Sequence, residues 1–436
     1  MKMTKFKFKN EKIHHYDTKN EKKLLYLLIK IKNMIINKYP FSALLFFLAI
    51  FSNSCNSSNT EENKVISKND SLSVIKKKLE PIKSPIDTFY NNITQLIGGE
   101  DSVIRYKNNS WDTSFIFEYS QKIKAKYKLI KDDRLAKICN WNNSNLKRNN
   151  QPDSAFVFYP FSGGDFIHLN FMYPNAREYL MVAREKVGII PNLIEKDGQF
   201  IKRYLNDVDN VLRDIYRRSY FITRNMESDT RTNTTLIDGM FPLILWAISR
   251  TGHEVISVKY SNIDENGSMI FIDKKELEKK ADAVEIIFRD KKSLITKKIT
   301  YLSCDISNKG FEEKPRFSNY LKAKIPNKCN SFVKSASYLL HYGSFEQIRN
   351  LIKDKSDFLV QDDTGIPVKY FINKGWNVEL FGLYEKPVDD FSQGVFQKEL
   401  DSAYKSEKYY KGQIDFSLGY HWGSKKQNQM VLKKIN

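Results

Sequence analysis

One stretch of about 30 residues constrains this chain more than any other. Ala155–Tyr159 reads AFVFY, apolar at every position. Pro160-Phe161-Ser162-Gly163-Gly164-Asp165 follows as a tight turn, and Phe166–Tyr173 has the pattern of a short helix. Pro174-Asn175-Ala176 stops that helix, and Glu178–Ala183 (EYLMVA) is again almost wholly apolar. A strand that is apolar on both faces is covered on both faces, as in a buried parallel sheet. Strand, turn, helix and strand in so few residues make a βαβ unit. The expected fold class is therefore α/β: a Rossmann-like, mostly parallel sheet with helices on both faces.

The rest of the chain is arranged around that unit. From Ile86 to about residue 150, Trp111, Phe115, Tyr119, Ile123 and Tyr127 recur every four residues, which predicts a helical cap. Residues 197–230 read as an amphipathic helix, and Asp238-Gly239-Met240-Phe241-Pro242 opens another. Four strand-like runs over residues 253–305, joined at Asp264–Gly267 by an Asn-Gly turn, predict an antiparallel meander inserted in the α/β domain of 151–436. The α/β rhythm then resumes. Ser331–Leu340 is expected as a strand, Ser344–Asp354 as a helix capped by Ser344, and Asp357–Gln361 and Val378–Tyr384 as strands. Tyr420–Lys433 supplies a last strand.

In an open parallel sheet, ligands bind beyond the carboxyl ends of the strands. Ser162, Gly163 and Asp165, His341, and Asp362 with Asp363 fall there, and Glu185 sits 22 residues after Gly163. The glycines would admit a ligand to the backbone, and Glu185 would accept from a ribose hydroxyl. Four carboxylates and an imidazole suit acid–base chemistry or a hard cation. Each residue also has a structural reading. Asp165 is placed to cap the following helix, His341 is an ordinary loop or core histidine, and Asp-Asp-x-Gly is good turn chemistry with a glycine for positive φ. H-E-x-x-H, G-x-S-x-G, paired C-x-x-C and P-loop patterns are all missing, which removes the commonest zinc-protease, esterase, zinc-finger and NTPase readings. Cys139, Cys304 and Cys329 are expected as buried thiols, with a Cys304–Cys329 bridge as the alternative.

The chain carries 71 Lys and Arg against 51 Asp and Glu, a net charge of +20 that invites a nucleic-acid reading. The first 54 residues hold eleven lysines and three acids, so +8 of that charge belongs to the leader and +12 remains. Phe41–Phe51 (FSALLFFLAIF) is uncharged and eleven residues long, too short for a membrane span and right for a signal-peptide core. Ser52, Ser54 and then Cys55 follow. This leader resembles a bacterial lipoprotein signal peptide, in which the cysteine is lipidated and becomes the mature N-terminus. Met34 is the expected true start. Residues 55–85, rich in Asn, Ser and Glu, read as a flexible tether.

Two further resemblances bear on the domain. The unit at 155–185 resembles the first motif of the S-adenosylmethionine-dependent methyltransferases, although only Gly163-Gly164 stands where a G-x-G-x-x-G fingerprint would be. The FYPFSG-x-D turn (Tyr159, Pro160, Ser162, Gly163, Asp165) and the QDD-x-GIP turn (Gln361, Asp362, Asp363, Gly365, Pro367) resemble a group of uncharacterised bacterial lipoproteins and secreted proteins. That resemblance implies no activity. The reading is a membrane-anchored envelope lipoprotein, held to lipid through Cys55, whose domain binds a small molecule or an envelope partner rather than nucleic acid. An exported hydrolase or transferase is the alternative, and a methyltransferase-like enzyme a third if the domain faces the cytosol.

Overall fold

The computed structural model describes residues 85–100, 111–146, 156–220, 235–273, 281–389, 394–422 and 427–435. The leader, Cys55 and all but the last residue of the tether lie outside the described residues. The chain is α/β, built on one mixed sheet of eleven strands.

The βαβ unit forms where its sequence places it. Strand β1 (Phe156–Pro160), helix α1 (Phe166–Met172, the first helix after the cap) and β2 (Glu178–Ala183) follow in order, with β1 and β2 parallel. Three strands then extend the sheet beyond β2. In β3 (His253–Ile263), β4 (Met269–Phe271) and β5 (Ala283–Asp290), β3 is antiparallel to both others. Next come β6 (Thr296–Ser303), β7 (Cys329–Val333), β8 (Ser356–Gln361), β9 (Trp376–Gly382), β10 (Tyr410–Gly412) and β11 (Asn428–Lys434). The spatial order is β10-β9-β11-β8-β7-β1-β2-β6-β5-β3-β4. Strands β8, β7, β1, β2 and β6 form an all-parallel centre.

The sheet as a whole is not mostly parallel. Five of its ten strand pairs are parallel and five antiparallel. The expected meander insertion at 253–305 is a continuation of the sheet, because β6 pairs antiparallel with β5 on one side and parallel with β2 on the other. Strand β6 is buried over most of its length and behaves as a central strand.

Side-chain alternation gives the sheet two apolar faces. Val157, Tyr159, Tyr179, Met181 and Phe332 face one layer, with the helices of Thr88–Ile97, Thr113–Ile130, Gly198–Val211, Arg213–Arg218 and Phe241–Arg250. Phe158, Leu180, Val182, Val333 and Leu359 face the other, with those of Asn308–Glu313, Pro315–Lys324, Glu346–Lys355 and Lys398–Lys405. Helices on both faces thus follow from strands that are apolar on both sides. Among the described residues no helix is long and apolar enough to cross a membrane.

Several elements depart from expectation for local reasons. The strand expected at Ser331–Leu340 ends at Val333, since Ser335, Ser337 and Tyr338 take positive φ of 54°, 49° and 56°. Ser344 caps nothing: it lies in a 3-10 turn, and the helix starts at Glu346. The helix expected over 197–230 breaks after Val211 and ends at Ser219 in the left-handed region, and residues 221–230 lie outside the described set. The last strand begins at Asn428, with Gly419–His421 as a separate turn. Cys304 and Cys329 are both unpaired and buried, so the bridge between them is not formed. Burial raises both thiols, Cys329 to about 11.

Candidate functional site

The turn after β1 carries the first group of polar side chains. Ser162 N–H donates to Val182 O at 3.1 Å, and its hydroxyl lies 3.1 Å from Gly163 O and 3.3 Å from Val182 O. Gly163 has φ of +50°, a conformation that favours glycine. Gly164 makes room for a neighbour: a Cβ there would lie 3.1 Å from Leu243 Cβ, on the helix Phe241–Arg250. The helix Phe241–Arg250 packs into the space on that side of the expected glycine approach.

Asp165 caps α1, accepting from His168 N–H at 3.3 Å. It is itself buried, and four groups meet its carboxylate. His168 Nδ1 lies 2.7 Å from Oδ1, Tyr159 Oη donates to Oδ2 at 3.2 Å, and Lys334 Nζ pairs with Oδ2. Lys334, just past β7, also donates to Ser219 O at 2.6 Å. Burial alone would raise the Asp165 carboxyl, but His168 and Lys334 override it and hold it at about 2. Burial lowers His168 to about 4, so the ring is neutral at pH 7. Its proton then sits on Nδ1, facing the carboxylate, and Nε2 is a buried acceptor without a partner among the described residues. Burial also lowers Lys334, with Asp165 opposing.

The turn after β8 carries the second group. Gln361 bridges it, donating from Nε2 to Ile366 O at 2.7 Å and accepting from Ile366 N–H at 2.8 Å. A Cβ on Gly365 would lie 2.4 Å from Gln361 Oε1, so this glycine serves space and not the expected positive φ. Asp362 accepts from Thr364 N–H at 3.0 Å and Ser335 N–H at 3.2 Å. Asp363 accepts from Tyr338 Oη at 2.6 Å and Asn428 Nδ2 at 3.0 Å, and lies 2.7 Å from His421 Nε2. Both carboxylates are essentially sealed from solvent, at 1% and 0% exposure. Burial, then the neighbouring Asp363, pushes Asp362 up to about 6. Burial opposes the charge on His421, but Asp363 outweighs it and raises the imidazole.

These groups share one edge, the carboxyl ends of β1, β7 and β8 with the start of β11. His341 joins it, its Nε2 lying 3.3 Å from Asp363 O, and burial lowers it to about 4. Glu185 stays at the end of β2, its carbonyl accepting from Tyr301 Oη at 2.7 Å. Of the eight non-glycine residues with positive φ among the described residues, Phe161, Ser219, Ser335, Ser337 and Tyr338 lie around this edge. Such residues cost on the order of 1–3 kcal/mol each and concentrate at functional sites. Sequence reading missed Lys334, Tyr338, His421 and Asn428. The signal for Lys334 was a lone lysine closing an apolar strand. Among the described residues no group of three or more His, Cys, Asp or Glu side chains is placed to hold a metal ion. Comparison of the chain with known protein families, curated proteins and solved structures finds no match.

Proposed function

We propose that this chain is a lipid-anchored protein of the bacterial cell envelope whose Rossmann-like domain binds a small molecule or an envelope partner. The carrying observation is the convergence at one sheet edge. Chain order runs outward from β1 through β2 to β6, then restarts on the other side with β7 and β8. Ligands of doubly wound sheets bind where the order reverses, beyond the carboxyl ends of the strands. Asp165 and Lys334 pair in the segments that follow the two strands flanking that reversal. The strained residues around them support the same edge.

The exported hydrolase or transferase is a second reading, favoured by Asp362: a carboxyl held up to about 6 can exchange protons near neutral pH. Its seclusion from solvent argues for a structural role until the edge opens. The methyltransferase-like reading is less well supported, since Leu243 packs on the glycine turn.

Two measurements test the proposal. Metabolic lipid labelling of wild type should be lost in Cys55→Ala, and equal labelling removes the anchor. Native mass spectrometry of the detergent-extracted full chain should find a retained ligand or partner. Hydrogen exchange should then show slowing after β1, β7 and β8 when it is bound. No retained species, or slowing confined to other places, removes the binding site.

A further inference from the structure

One short turn, Leu418–Trp422, lies against the carboxyl edge, and side chains fasten it there. Its internal backbone bond runs from Trp422 N–H to Gly419 O at 3.2 Å. Among the described residues, no backbone–backbone bond joins it to a strand. Gln427 accepts from Leu418 N–H at 3.0 Å and donates from Nε2 to His421 O. Tyr420 Oη lies 2.6 Å from Ser337 Oγ, and its ring meets that of Tyr220 at 4.6 Å. His421 Nε2 lies 2.7 Å from Asp363 Oδ1 and 3.3 Å from Asn428 Nδ2. Asp363 and then Asp362 favour the charged imidazole. Leu418, by contrast, is buried in the apolar layer and fixes one end.

Gly419 sets the turn directly on the acids. Its φ is +67°, and a Cβ there would stand 2.8 Å from Asp362 Oδ2 and 2.9 Å from Ser335 Oγ. Lys334 Cγ lies 3.5 Å from the same point. Only glycine lets the backbone come this close in this conformation. Next to it, four backbone N–H groups bond to side chains instead of a strand ladder. Ser335 donates to Asp362 at 3.2 Å, Ala336 to Thr364 at 2.9 Å, Asp363 to Asn428 at 2.8 Å and Thr364 to Asp362 at 3.0 Å. Segments held in this way open at a lower free energy than core strands.

We propose that Leu418–Trp422 is a strap over the carboxyl edge, which pivots at Gly419 and lifts to admit what binds there. The inference rests on reading that edge as the binding site. With the strap down, His421 occupies Asp363, so a ligand that uses this carboxylate displaces the imidazole. Lifting the strap breaks no strand pair among the described residues. It also frees Ser335, Ser337 and Tyr338, whose positive φ persists only while the surroundings enforce it.

Hydrogen exchange of the full chain, read by mass spectrometry across low urea concentrations, tests the strap. Segments 334–338 and 362–365 should exchange through an opening with a shallower urea dependence than β1, since less surface is exposed. His421→Gln should accelerate both segments about tenfold, the scale of one hydrogen bond to a charged group. Tyr420→Phe keeps the ring, loses the bond to Ser337 and should accelerate them about threefold. Ile286→Val, in the buried core of β5, should accelerate β1 and leave the two segments unchanged, because the lifted state keeps that core. Segments that share the urea dependence of β1, follow β1 in Ile286→Val, or ignore both strap variants overturn the proposal. Should His421→Gln not fold, the wild-type urea dependence and Tyr420→Phe decide. A chain that opens locally but retains no ligand keeps the strap and loses the binding reading. One that retains a ligand but opens only globally does the reverse.

Discussion

At the scale of single residues, the sheet edge is held by charges that water does not reach. Breaking a buried ion pair by removing one partner costs roughly 3–5 kcal/mol, because the other charge is left uncompensated. Lys334→Met should therefore lower the urea midpoint sharply. Adding Asp165→Asn, which keeps a side chain able to cap α1, should recover most of the loss. A double variant no more stable than Lys334→Met would show that the pair is not the cause. The carboxyls Asp362 and Asp165 oppose each other in pH. Asp362 has a folded pKa of about 6 against an ordinary 3.8, so its contribution is full below 3.8 and is lost as pH rises through 6. Asp165 is held at about 2, so its contribution is full above 3.8 and is lost as pH falls toward 2. Denaturant titrations should accordingly show wild type losing stability relative to Asp362→Asn as pH rises from about 4 to about 6, with the difference level below and above that window. Asp165 and the Asp362-Asp363 turn were legible in the sequence because their roles are local. Lys334 meets a carboxylate 169 positions away and His421 one 58 positions away, and no local pattern encodes either meeting.

At the scale of elements, period and punctuation carried most of the information. β1, α1 and β2 lie within a residue or so of their sequence boundaries, because runs apolar at every position and a Pro-Asn stop leave little choice. The strand at β7 was overextended by seven residues of mild hydrophobicity, where the left-handed serines set the true end. Gly164 illustrates a role that sequence alone misassigned. A Cβ at that position needs the helix Phe241–Arg250 to give by a few tenths of an ångström. Gly164→Ala should destabilise the chain in urea, and Leu243→Ala alone should cost about 2–5 kcal/mol as a cavity. Combined, the two should cost less than their sum, because each relieves the other. Strict additivity would mean that the contact is not shared.

At the scale of the whole molecule, the helices of Thr88–Ile97 and Thr113–Ile130 share one apolar layer with the sheet: Ile97, Tyr119 and Ile123 lie in the same cluster as Val157 and Phe332. The region expected as a helical cap should therefore unfold with the sheet. Far-ultraviolet dichroism and tryptophan fluorescence, which reports Trp111 and Trp141 in that region and Trp246, Trp376 and Trp422 elsewhere, should share one midpoint. Two midpoints would mark a separable unit. The mixed character of the sheet was not legible, since it depends on which strands meet across long intervals. One such meeting sets the order in which the chain can complete itself. Val157 pairs with Tyr179 on one side and Asn330 on the other. A chain that emerges from its amino terminus can form the first pairing early. The heart of the sheet then keeps an open, sticky flank until some 150 more residues have followed. Through that interval the nascent protein needs either a chaperone or to be kept unfolded.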